Sequence, residues 1–123
     1  MAARWFLGLS AAMWFSYGMY CFLAPSALGD GAGVTFTNAT GSTELRAMYG
    51  GLQMALGALA ALGLARPGLR QGAVLTLGLV TAGLGSTRLI GAFIDSGWSA
   101  YTAMGLIFEF ASAAWATSIL RRE

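Results

Sequence analysis

Four long apolar runs, each broken by a short polar or proline-containing segment, set the limits on what this sequence can fold into. They extend over residues 5–24, 44–65, 71–94 and 98–120. About twenty apolar residues carry a helix across a hydrocarbon core near 30 Å thick, and each run reaches that length. Only 10% of the 123 residues are charged, far below the roughly 25% with which a soluble domain covers its surface. Pro25 stops the first run, Arg66-Pro67-Gly68 separates the second from the third, and Asp95-Ser96-Gly97 leaves room only for a tight turn. The expected fold is all-α: one integral-membrane four-helix bundle spanning residues 1–123, with a longer polar loop at 26–43. The first run exceeds the 7–15 residues typical of a signal-peptide core and lacks a small-x-small cleavage site, so it reads as a span.

Arginine placement orients the spans. Arg4, Arg66, Arg70, Arg121 and Arg122 fall on one side if the spans alternate, whereas the opposite connections carry Asp30 and Asp95. The positive-inside rule then puts both termini in the cytoplasm and the 26–43 loop outside. Tyr17, Tyr20, Trp98 and Tyr101 read as the outer aromatic belt, and Trp5 and Trp115 as the inner one. Within the loop, Val34-Thr35-Phe36-Thr37 alternates like a short strand over the outer mouth. Gly29-Asp30-Gly31-Ala32-Gly33 lacks the strand and helix that a phosphate-cradling turn needs. Asn38-Ala39-Thr40 matches a glycosylation sequon, which we read as chance.

Composition also removes whole classes of chemistry. Histidine is absent, every basic residue is arginine, and Cys21 is the only cysteine. A zinc site of the usual kind, a disulfide framework, a Ser-His-Asp triad and a Schiff-base lysine all lack their residues. No catalytic constellation is visible, and neither an enzymatic role nor a cofactor is expected. The net charge of +2 forms no basic stripe, so no nucleic-acid partner is expected.

The informative residues are polar ones at membrane depth. Arg46, Gln53, Arg88 and Glu109 lie within the spans, with Glu44 and Asp95 at their boundaries. An ionised side chain there costs roughly 2.5–3.5 kcal/mol even on insertion scales, so each needs a partner or a wet cavity. With 1.5 Å per residue, Arg88 lies ~10 Å below Asp95 and Glu109 ~16 Å below Trp98, within reach of an ion pair that Gln53 would cap. Arg46, Tyr49, Gly50, Gln53 and Gly57 recur at three- and four-residue steps on one face of the second span. Thr102, Gly105, Glu109, Ser112, Ala113 and Ala116 form a small-residue face on the fourth, where transmembrane helices approach closely. The faces, with Arg88, Gly91, Ala92 and Asp95 on the third span, are expected to converge on an outward-opening polar cluster of Arg46, Tyr49, Gln53, Arg88 and Glu109, with Glu44 and Asp95 at its margin. Glu44 reads as an acid in the first turn of the second helix, favoured by the dipole, and Asp95 as the end of the third.

The string Glu44-x-Arg46-x-x-Tyr49-Gly50-Gly51-x-Gln53 resembles the signature of a family of small bacterial four-helix membrane proteins of unknown function, related to the DoxX-like superfamily. Pro25, Arg88, Asp95-x-Gly97 and Glu109 follow in the order the resemblance requires, so it covers nearly the whole chain. It implies fold, topology and a bacterial inner (plasma) membrane, but no reaction. Some DoxX-like relatives are membrane subunits of quinone-linked redox enzymes; this chain has no haem or metal ligands with which to carry electrons itself.

Two functional expectations follow. In the first, the outward-facing cluster binds or transports a small polar, anionic or lipid-like ligand, since arginines suit carboxylate and phosphate recognition. Four helices are few for alternating access, so transport implies a homo-oligomer. In the second, the chain is a non-catalytic accessory subunit of a larger membrane complex, for which the resemblance suggests a quinone-linked one, and its charges pin helix register.

Overall fold

The computed structural model describes residues 1–122, and among them every regular element is helical. Helix α1 (Ala2–Leu23) is followed by a short α2 (Ala27–Ala32). The second span is continuous from Ala39 to Ala65, built of α3 (Ala39–Leu45), a π-helical turn (Arg46–Gly51) and α4 (Leu52–Ala65). Helices α5 (Pro67–Asp95) and α6 (Ala100–Leu120) complete the chain. Four helices are long and apolar enough to cross a membrane, the architecture of a multi-pass membrane protein.

The helix ends have local causes. Asn38 accepts the Gly41 N–H through Oδ1 at 2.9 Å and starts α3, so the sequon asparagine serves as an N-cap. The second span therefore begins five residues before Glu44. Glu44 is exposed beyond the first turn, which carries no acid, and the expected dipole role does not apply. Pro67 occupies the first turn of α5, where its missing N–H costs nothing, leaving Arg66 alone as the connection. Ser99 caps α6 by accepting the Thr102 N–H at 3.1 Å. The 26–43 loop is more ordered than expected. It contains α2, closed by Gly33 in the left-handed region (φ 70°), and residues 33–36 form no strand. Leu28 of α2 is buried.

In space, α1 packs on the second span, that span on α5, and α5 on α6, while α1 and α6 meet sparsely. Small residues set the close seams. A Cβ at Gly57 would stand 2.6 Å from the Phe15 backbone nitrogen, and one at Gly78 would stand 2.8 Å from Ala116 Cβ. With no hydrophobic drive between helices in lipid, such contacts supply the packing. The apolar core, including Phe6, Leu7, Trp14, Leu77 and Ile119, is weighted toward the arginine-rich end. Arg46, Tyr49 and Arg88 lie toward the opposite end.

Candidate functional site

Glu109 is the most deeply buried charged side chain among the described residues, at 4% exposure, and Arg88 covers it at 30%. Arg88 Nη2 donates to Glu109 Oε1 at 2.6 Å, and Nε donates to Oε2 at 2.9 Å and to Oε1 at 3.1 Å. This two-pronged geometry is the strong form of an arginine–carboxylate contact. Two glycines make room for it. Glu109 Cβ lies 3.3 Å from where a Cβ of Gly85 would be, and the Arg88 guanidinium crosses α6 at Gly105. Arg88 Nη1 donates to no side chain or backbone group among the described residues.

Tyrosines approach the guanidinium. The Arg88 Cζ sits 5.9 Å from the Tyr101 ring centroid, within cation–π range. The Tyr101 hydroxyl shares a 2.8 Å hydrogen bond with that of Tyr17 on α1. Tyr49 is half-buried and within electrostatic reach of the guanidinium. Helix α2 passes over the group: a Cβ at Gly31 would stand 3.7 Å from Tyr101 Cδ2. Beyond the outer-belt position that the sequence suggests, Tyr17 and Tyr101 join α1 to α6.

The remaining expected members divide. Gln53 does not cap the pair: its Oε1 is buried and without a hydrogen-bond partner. From the Gly63–Ala73 contact between α4 and α5, Gln53 rises ~15 Å and Gly85 ~18 Å, which sets Gln53 at about the level of Glu109 along the bundle axis. Arg46 does not join Arg88. Its Nη1 donates to the Phe22 carbonyl at the end of α1, and its Cζ lies 5.6 Å from the Phe22 ring centroid. The reason is the π-helical turn, which starts at Arg46 and changes the angular step between Arg46 and Gln53. Arg46 thereby satisfies an otherwise orphaned carbonyl of α1. Asp95 is the exposed last residue of α5 and makes no ion pair among the described residues. No group of three or more His, Cys, Asp or Glu residues that could hold a metal occurs among the described residues.

Two grooves flank α1, and neither is lined by Arg88 or Glu109. One, of about 780 Å³, lies between α1 and α4 against Ala11, Ala12, Gly57, Ala58 and Ala61. The other, of about 560 Å³, lies between α1 and α6.

The fold and the buried ion pair define a small four-helix multi-pass membrane protein with a charged centre at membrane depth. The chain belongs to the family described as domain of unknown function DUF4345, whose model matches residues 2–120. Comparison with curated proteins and with solved structures found no match.

Proposed function

We propose that this chain binds a small polar or anionic ligand at the Arg88–Glu109 centre, reached from the side on which α2 lies. The observation that carries this reading is the free Nη1 edge of Arg88, on a side chain 30% exposed at membrane depth. A pair serving register alone gains most when every donor is satisfied, because an unmet one is costly in lipid. Gln53 Oε1 adds an unpartnered acceptor at about the same depth in the bundle. A head group that accepts from Nη1 and donates to Gln53 would satisfy both.

The arginine distribution supports cytoplasmic termini and an outward site. The resemblance of the Glu44–Gln53 motif supports a bacterial inner membrane and kinship with DoxX-like proteins. A second reading, an accessory subunit of a larger complex such as a quinone-linked one, draws support from the alanine- and glycine-lined groove between α1 and α4. Such surfaces let a foreign helix approach closely.

Native mass spectrometry of the protein, extracted with its surrounding membrane by an amphipathic copolymer, tests the proposal. A retained small molecule that disappears in a folded Arg88→Gln variant supports the binding reading. An empty chain that co-isolates with a larger complex supports the second.

A further inference from the structure

The α1–α6 seam is built unlike the others. Bulky aromatics hold these helices apart at two levels: Phe6 against Trp115, with ring centroids 5.5 Å apart, and Trp14 against Phe108 at 5.8 Å. Between them the sequence places serines, since Phe6, Ser10 and Trp14 follow four-residue steps on α1, as do Phe108 and Ser112 on α6. Antiparallel packing that pairs the aromatics sets Ser10 and Ser112 across the gap, and both line the 560 Å³ groove. Ser10 is only 8% exposed. Neither hydroxyl enters a hydrogen bond among the described residues. By contrast, Ser16, Thr81, Thr87 and Thr117 each donate to a carbonyl four residues back.

We propose that this groove is a binding site for a neutral, lipid-soluble molecule that carries a hydrogen-bond-accepting oxygen such as a carbonyl. It is separate from the Arg88–Glu109 centre and does not depend on the function proposed for that centre. Depth selects the ligand class. Ser112 lies ~18 Å along α6 from its start, and Ser10 ~12 Å along α1 from the opposite side, so both fall near the bilayer middle. A phospholipid keeps its ester oxygens in the interfacial region, so its acyl chain fills the groove but leaves both hydroxyls unmet. A lipid-soluble carbonyl compound brings the acceptor to the required depth. The groove volume is in the range of small-molecule sites, and its walls carry no charge, which excludes an ion. Because the aromatics act as spacers, the slot lies open to the bilayer and admits the ligand laterally.

The test uses the full chain in phosphatidylcholine nanodiscs, titrated with a long-chain dialkyl ketone carrying an isotope-labelled carbonyl. Infrared spectroscopy is expected to show a saturable carbonyl band shifted to lower frequency by hydrogen bonding. The Ser10→Ala/Ser112→Ala variant is expected to bind about tenfold more weakly and to lose the shifted band. Thr87→Ala, outside the groove, removes a hydroxyl already bonded to the Gly83 carbonyl and is expected to change neither. Ser112→Ala alone gives the same comparison if the double variant fails to fold. The proposal is overturned if no shifted band forms or if the serine variants bind equally. It is also overturned if the n-alkane of equal length displaces the ketone with equal affinity, which would make the groove a place for an ordinary lipid chain.

Discussion

Gly105 lies directly beneath Arg88: a Cβ built on it would stand 2.8 Å from Arg88 Nε and 3.0 Å from Cζ. The guanidinium reaches Glu109 by lying flat across a helix backbone that presents no side chain at that point. A methyl group there has a flexible neighbour, whereas at Gly57 it meets the Phe15 backbone nitrogen at 2.6 Å. The two glycines therefore make different predictions. Gly105→Ala shifts the arginine and loosens the ion pair, costing about 1 kcal/mol. Gly57→Ala forces α1 and α4 apart and costs about 2–3 kcal/mol. Thermal unfolding in one detergent ranks the two, and an equal or reversed order contradicts the packing described.

Breaking the ion pair from either side strands the other partner. Removing one member of a buried pair costs about 3–5 kcal/mol, while replacing both by apolar groups of similar volume is often neutral. Arg88 is partly exposed, so Glu109→Ala, which strands it, is expected near the lower figure, and Arg88→Met, which strands the deeply buried Glu109, somewhat above it. The Arg88→Met/Glu109→Leu double variant is expected to unfold near the wild-type temperature yet retain no ligand. A double-mutant cycle read by both stability and native mass spectrometry checks this. A double variant that keeps its ligand would leave the pair a structural element alone.

Depth counting alone brings Arg88 to Glu109, because 1.5 Å per residue on antiparallel helices leaves few other partners at that level. The four spans and their turns are equally legible, since Pro25, Pro67 and the Asp95–Gly97 turn punctuate long apolar runs. Arg46 is not legible in the same way. Its face was assigned on an α-helical step, and the π-helical turn from Arg46 to Gly51 breaks that step. No spacing rule announces such a turn, although Gly50-Gly51 lowers the local cost of one. Tyr17 and Tyr101 were missed because a belt tyrosine and a bundle-facing tyrosine occupy the same depth. Helix α2 was missed because two glycines in six residues, Ala27–Ala32, give it low intrinsic propensity. Packing of Leu28 supplies what propensity does not.

The Tyr17–Tyr101 hydrogen bond is the one direct polar link seen between α1 and α6 among the described residues. Interhelical hydrogen bonds in membranes average roughly 0.6 kcal/mol by double-mutant cycles, with a maximum near 1.7. Tyr17→Phe and Tyr101→Phe each remove the same bond, so each is expected to cost about 1 kcal/mol. The double variant is expected to cost no more than the larger single. Additive losses in thermal unfolding would mean that the hydroxyls bind separate partners.

The arginine distribution gives a topology that labelling can check. Cys21 is the only cysteine, so Cys21→Ala supplies a background free of reactive thiols. Thr35, exposed after α2, and Gly68, exposed at the start of α5, stand at opposite ends of the bundle. A membrane-impermeant maleimide added to intact cells is expected to label Thr35→Cys at once and Gly68→Cys only after permeabilisation. The order follows from Arg66 and Arg70 beside Gly68 against Asp30 in the opposite connection, since cytoplasmic loops retain the arginines. A Cβ at Gly68 meets nothing within 4 Å, so the substitution there leaves packing intact and a failure to label reports access, not misfolding. The reverse pattern would turn the Arg88–Glu109 centre toward the cytoplasm, and its ligand would then have to be sought on that side.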